Sequence, residues 1–265
     1  MEIVGYLASL IIGISLGLIG GGGSILTVPV LVYLFGINPV LATAYSLFIV
    51  GTTSLVGCLP KSRDGMVNLK TATIFGIPSI IAVFATRKWI VPAIPNELFT
   101  FNEVVITKSV MTMILFALLM AFASVSMIRD KNGEDVESQL PQKFNYPAII
   151  LEGLIVGTLT GLVGAGGGFL IIPALVLLSK LPMKQAVGTS LLIIAMKSLI
   201  GFLGDLSHTD MDWKLLITVT ALAVAGIFIG NSLSRKLDAH KLKKGFGWFV
   251  LVMGIYIMIK ELFIH

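Results

Sequence analysis

The chain has 265 residues, of which 56% are hydrophobic and only 12% charged, and its mean hydropathy is +0.97. A soluble domain carries about a quarter charged residues, and half that share does not cover the surface of a soluble protein of this size. Composition therefore excludes a solenoid, a disordered chain and a nucleic-acid binder, and leaves a polytopic membrane protein. The net charge of +5 reads as an excess of Lys and Arg in cytoplasmic loops. A single cysteine, Cys58, rules out an intrachain disulfide and a cysteine-rich metal site.

In chain order, apolar segments run over 3–36, 40–60, 67–86, 106–128, 147–179, 184–204, 213–234 and 246–264. The opening residues Met1-Glu2-Ile3-Val4 lack a basic n-region, so the first is read as a membrane segment and not a removed signal peptide. A helical crossing takes about 20 residues, which suits six of the eight. The first and fifth are longer and are interrupted by glycine, as Gly17-Leu18-Ile19-Gly20-Gly21-Gly22-Gly23-Ser24 and Gly161-Leu162-Val163-Gly164-Ala165-Gly166-Gly167-Gly168. Each glycine costs a helix about 1 kcal/mol relative to alanine, so these runs are breaks.

The two breaks belong to an internal repeat. Shifting the chain by 144 residues aligns 13–57 with 157–201 at 18 identities in 45 positions, against roughly four expected by chance for this composition. Gly20/Gly164, Gly22/Gly166, Gly23/Gly167, Pro29/Pro173, Ser46/Ser190 and Gly57/Gly201 all coincide. The predicted organisation is a first transmembrane repeat over 1–128, a cytoplasmic linker over 129–146 and a second repeat over 147–265. Each repeat holds a glycine-broken hairpin segment and three further helices. Lys61, Arg63 and Lys70 place the loop after the second segment inside, as do Arg235, Lys236, Lys241, Lys243 and Lys244 for a later one and Lys180 and Lys184 for the end of the fifth. The loop with Asp205, His208, Asp210 and Asp212 falls outside. Counting crossings between these loops makes the fifth segment return to the side it entered from and inverts the two halves. Both termini are then outside, and the loop carrying Arg87, Lys88 and Lys108 is outside too.

Broken segments at matching places of two inverted repeats point to a transporter's binding site. Backbone N–H groups without helical partners do not stay unpaired in hydrocarbon. A half-helix starting near Ser24 or Gly168 would aim its positive end at the break, so two such ends make an anion site. The competing reading is close helix packing through small residues, which suits Gly13-xxx-Gly17, Gly157-xxx-Gly161 and Gly226-xxx-Gly230. Neither run continues to Gly-Lys-Ser/Thr, so neither is a P-loop.

The pair Gly-Leu-Ile-Gly-Gly-Gly-Gly-Ser with Pro29 and Ala42-Thr43-Ala44-Tyr45-Ser46-Leu47, and Gly-Leu-Val-Gly-Ala-Gly-Gly-Gly with Pro173 and Val187-Gly188-Thr189-Ser190-Leu191, resembles the sulfite exporter TauE/SafE family. That resemblance implies a multi-pass permease of a bacterial or archaeal plasma membrane, for sulfite, sulfoacetate or another small organosulfonate. It also implies binding roles for Gly20, Gly21, Gly22, Gly23, Ser24, Thr43, Ser46, Gly164, Ala165, Gly166, Gly167, Gly168, Thr189 and Ser190.

One further site residue comes from depth alone. Lys197 is the one basic residue deep in a predicted span. A lysine at a helix centre costs about 2.5–3.5 kcal/mol to insert, so it needs a reason. A cation beside two positive half-helix ends would favour a sulfonate, whereas a snorkelling Lys197 would reach the outer surface. The expected partners are the bilayer, a small anion and, as a homodimer, a second copy of the chain, with no nucleic acid, no metal and no cofactor. The expected function is anion export by alternating access; the alternative is a cation-coupled permease of another small organic anion. An intramembrane enzyme would need a His, Cys or carboxylate constellation at depth, which the sequence does not offer. A membrane scaffold is the remaining class.

Overall fold

A computed structural model describes residues 2–101, 104–129, 146–177, 181–206, 211–234 and 239–263. Its helices are α1 (Glu2–Ile19), α2 (Thr27–Tyr33), α3 (Pro39–Arg63), α4 (Leu69–Ala85), α5 (Val91–Ala93), α6 (Lys108–Arg129), α7 (Tyr146–Val163), α8 (Gly168–Leu177), α9 (Met183–Asp205), α10 (Trp213–Ser234) and α11 (Ala239–Phe263). Strands β1 (Glu97–Phe101) and β2 (Val104–Thr107) form a short antiparallel hairpin before α6, a small departure from the all-helical expectation. Nearly all of the linker expected at 129–146 lies outside the described residues, as do Lys180, His208, Asp210, Arg235 and Lys236.

Six helices among the described residues are long and apolar enough to cross a bilayer: Pro39–Arg63, Leu69–Ala93, Lys108–Val125, Tyr146–Val163, Met183–Asp205 and Trp213–Ser234. Two of them lie at the centre. About 67% of the apolar window is buried in α3 and in α9, against 39–44% in the other four. The outer faces are apolar instead, with Leu7, Ile81, Phe122, Ile217 and Val252 exposed, as lipid contact requires.

Local chemistry sets the helix ends. Asn38 begins α3 by accepting the Val40 N–H at 3.0 Å, ahead of Pro39 in the first turn. Asn68 caps α4 through the Thr71 N–H at 2.9 Å, and Asp212 caps α10 through the Leu215 N–H at 3.1 Å. These last two caps are 144 residues apart, as are their acceptors' partners.

α1 packs along α10, α4 along α7, α3 against α9 and α6 against α11. The first two seams are made by small residues. A β-carbon on Gly17 would lie 2.7 Å from the Ile227 carbonyl oxygen, and one on Gly230 2.9 Å from Gly17 Cα. Across the other seam, a β-carbon on Gly157 would lie 2.8 Å from Ala82 Cβ, and one on Gly161 2.7 Å from Thr86 Cβ. The three spaced glycine pairs thus serve close packing. Met113 and Met120 fill the α6 core beside Phe116.

Candidate functional site

The first break begins where α1 ends. Gly20 has φ 69°, a left-handed conformation that glycine alone adopts without strain, and Gly20–Leu26 winds as a tight 3₁₀ segment. The chain turns back on α1 within it. A β-carbon on Gly23 would lie 2.6 Å from Ser15 Oγ, and that hydroxyl stands 3.4 Å from the Gly23 carbonyl oxygen. Ser24 Oγ donates to the Gly21 carbonyl at 2.8 Å, so it holds the break's own backbone together. The α-helix that follows starts at Thr27, three residues beyond Ser24, and has seven residues; with the 3₁₀ winding before it, the helical run extends from Gly23 to Tyr33, close to the start expected near Ser24. The surroundings of Gly22 lie outside what is described.

The second break repeats the pattern with more glycine in left-handed geometry: Gly164 at φ 72°, Gly166 at 64° and Gly167 at 63°. Here α8 starts at Gly168 as the sequence suggests. The Gly167 carbonyl accepts the Leu170 and Ile171 N–H groups at 3.0 and 3.1 Å. The N–H groups of Gly168 and Phe169 come too early in α8 to find an intrahelical acceptor.

The two breaks touch. A β-carbon on Gly21 would lie 2.6 Å from Gly168 Cα, and one on Gly168 would overlap the Gly21 backbone. Around that contact the arrangement is reciprocal. Gly20 packs on Val187 of α9, and Gly164 packs on Thr43 of α3, which is the residue 144 positions before Val187. Gly20, Gly21, Gly23, Ser24, Gly164, Ala165, Gly166, Gly167 and Gly168 are all buried.

The hydroxyls assigned by resemblance have different surroundings. Ser46 Oγ is buried with no partner among the described residues. Ser190 Oγ donates to the Val187 carbonyl at 2.9 Å. Thr43 Oγ1 donates to the Val40 carbonyl at 2.6 Å and accepts from Arg87 Nη1 at 3.0 Å. Thr189 Oγ1 accepts the Asn68 N–H at 2.9 Å, which ties α9 to the start of α4. Tyr45, the residue matching Thr189, makes the equivalent tie: its hydroxyl oxygen accepts the Asp212 N–H at 2.5 Å at the start of α10.

Lys197 does not snorkel. Its side chain is 0% exposed, and Nζ donates to Thr160 Oγ1 at 3.1 Å. Thr160 passes the bond on to the Val156 carbonyl at 2.6 Å. A β-carbon on Gly167 would lie 2.8 Å from Lys197 Nζ, so the ammonium stands against the second break.

Two charged residues read from the sequence as loop residues are in fact buried. Helical winding continues past α4 through a π-turn, Thr86–Ile90, into α5, and this carries Arg87 into the span at 1% exposure. Asp205 is the last residue of α9, at 6% exposure, with Oδ2 3.4 Å from Arg87 Nη1. The only sequence signal for Arg87 was its distance from the start of the 67–86 segment, and Lys88 and Trp89 beside it mimic a membrane edge.

These crossings define a multi-pass helical membrane protein. The model of the Sulfite exporter TauE/SafE family matches residues 6–257, and the chain belongs to that family; it is a membrane transporter and not an enzyme. Among its relatives, a probable membrane transporter protein of Xylella fastidiosa (strain 9a5c) is 28% identical over 255 residues, covering 94% of this chain and 91% of the relative. The probable membrane transporter protein YunE of Bacillus subtilis is 26% identical over 268 residues, covering 96% of each. A third, MJ0441 of Methanocaldococcus jannaschii, is 36% identical over 116 residues, covering 42% of this chain and 43% of its own. No solved structure matches.

Proposed function

We propose that this transporter exports small sulfur-containing anions, sulfite or an organosulfonate, by alternating access at a midplane site between the two glycine breaks. The observation that carries this reading is the backbone contact of Gly21 with Gly168, with the buried ammonium of Lys197 against Gly167. Lys197 and the N–H groups that come before the first intrahelical acceptor of α8 are both positive, and an anion between them would be held by both. The family's name supports sulfite as the type of cargo.

The same reading takes the halves as inverted repeats. Support comes from the exchange of partners: α1 with α10 and α7 with α4, and Tyr45 with Asp212 and Thr189 with Asn68. Both termini are then outside, 129–143 lies inside, and each broken segment is a hairpin. The burial of both breaks suits an occluded state, from which separation of Gly21 and Gly168 would open the site to one side. Export needs no coupling ion in principle. A monoanion leaving a cell at 100 mV, negative inside, gains about 2.3 kcal/mol, a ratio of roughly fifty-fold.

The test is efflux from proteoliposomes loaded with sulfite or sulfoacetate under an imposed potential. Potential-driven efflux without sodium is expected. Flux stoichiometric with sodium or protons would overturn the uniport mechanism, and no flux of either anion would overturn the cargo.

A further inference from the structure

The glycine breaks leave one buried cation without a role. Arg87 is 1% exposed inside the span Leu69–Ala93. Only its Nη1 is engaged, by Thr43 Oγ1 at 3.0 Å and by Asp205 Oδ2 at 3.4 Å; Nε and Nη2 have no partner among the described residues. A guanidinium has five N–H donors in a fixed fork, and a carboxylate that merely neutralised it would be expected to engage that fork through two oxygens. Asp205 stands instead at one nitrogen. Donors left unpaired at this depth are costly unless an acceptor completes them.

Its place in the fold is specific. A β-carbon on Gly204 would lie 3.0 Å from Arg87 Cβ, and one on Gly201 3.1 Å from Val83 Cγ2. Lys197, Gly201 and Gly204 recur along one face of α9, so Arg87 meets that face about 10 Å beyond Lys197 at 1.5 Å per residue. Thr43, to which Arg87 is bonded, packs on Gly164. Two cations therefore approach the second break, Lys197 at Gly167 and Arg87 by way of Thr43. Among the described residues the buried charged side chains are Arg87, Lys197 and Asp205, which sum to one positive charge.

We propose that Arg87 is a second anion-binding residue, a station at the α9 C-terminal end of the path that leads to Lys197. Asp205 sets its charge, so that the path takes a singly charged sulfonate in preference to a dianion. The proposal rests on the anion-transport reading above. With no anion present Asp205 holds Nη1; an arriving sulfonate takes Nε and Nη2 through two of its oxygens, in the planar geometry that arginine provides and lysine does not. The station exists at one end only. The residue 144 positions after Arg87 is Asn231, whose Oδ1 is also buried with no partner among the described residues but which carries no charge.

The test is a binding titration on the full chain in detergent, with methanesulfonate as the monoanion and sulfoacetate as the dianion. Arg87→Gln alone takes from the buried Asp205 carboxylate its ion-pair cation and is expected to weaken folding, so the informative variants are Arg87→Gln/Asp205→Asn and Asp205→Asn. The double variant should weaken methanesulfonate binding about tenfold or more, as loss of a charge-assisted bond implies. Asp205→Asn should shift preference toward sulfoacetate by a similar factor. A double variant that binds like wild type would make Arg87 only the structural partner of Asp205, overturning the station while leaving the transporter reading intact. If the double variant does not fold, an unchanged preference in Asp205→Asn overturns it equally. Wild-type protein that binds neither of these anions nor sulfite would overturn both readings, and that result is distinct because it is seen before any substitution is made.

Discussion

One methyl group at Gly168 tests whether the two breaks must separate for transport. Gly168 has ordinary backbone angles, unlike the three glycines at positive φ beside it, so alanine there introduces no torsional strain. What it meets is the Gly21 backbone, at Cα, C and O, with no flexible side chain between them. The reverse substitution puts a β-carbon 2.6 Å from Gly168 Cα, about 1 Å inside an optimal carbon contact. Backbone cannot turn aside as a rotamer does, so overpacking here should cost about 1–3 kcal/mol. If the contact exists only in the occluded state, that cost falls on one state alone and shifts the conformational balance about 5- to 150-fold. Gly168→Ala should therefore slow proteoliposome efflux by about 5- to 150-fold, while membrane insertion and the monodisperse profile in detergent are kept. Accessibility of a cysteine placed beside the break should rise in parallel. Wild-type efflux in Gly168→Ala would refute the reasoning, because the contact would then be packing that never has to open or close.

Gly166→Leu should abolish transport with insertion intact, since Gly166 has φ 64° and its β-carbon would lie 2.6 Å from Val50 Cγ1; uptake and efflux assays on membranes normalised for protein check it. Tyr45→Phe should cost about 0.5–1.5 kcal/mol by removing the acceptor of the Asp212 N–H, read as a lower thermal midpoint with the substrate affinity unchanged. A cysteine at Lys244 in a Cys58→Ser background should react with an impermeant reagent only from inside; labelling from outside would invert the topology.

The breaks were legible because four near-consecutive glycines have no other use in a 30-residue apolar segment, and the repeat supplied a second, independent copy of the signal. Helix ends were less so. The first half-helix, expected near Ser24, opens with 3₁₀ winding, in which Ser24 donates its hydroxyl to Gly21, and becomes α-helical only at Thr27. Thr189 shows the limit of matching by motif. It stands one residue from Ser190, yet its hydroxyl faces the start of α4, and only the three-dimensional match to Tyr45 reveals the common tie. Arg87 and Asp205 escaped for a different reason. Each closes an apolar run and looks like a boundary, and their burial depends on a π-turn and on α9 reaching Asp205, neither of which hydropathy encodes.

The most direct measurement is the thermal stability of purified wild type and Lys197→Met, titrated side by side with sulfite and with sulfoacetate. Methionine keeps the volume of the side chain and removes the ammonium that lies against Gly167. A ligand at 100 times its Kd stabilises the protein it binds by about 2.7 kcal/mol. The wild type should show that stabilisation with at least one of the two anions, and Lys197→Met should need about ten to a hundred times more anion for the same shift. Equal stabilisation of the two proteins, or stabilisation of the wild type by sodium alone, would contradict an anion site at the paired breaks.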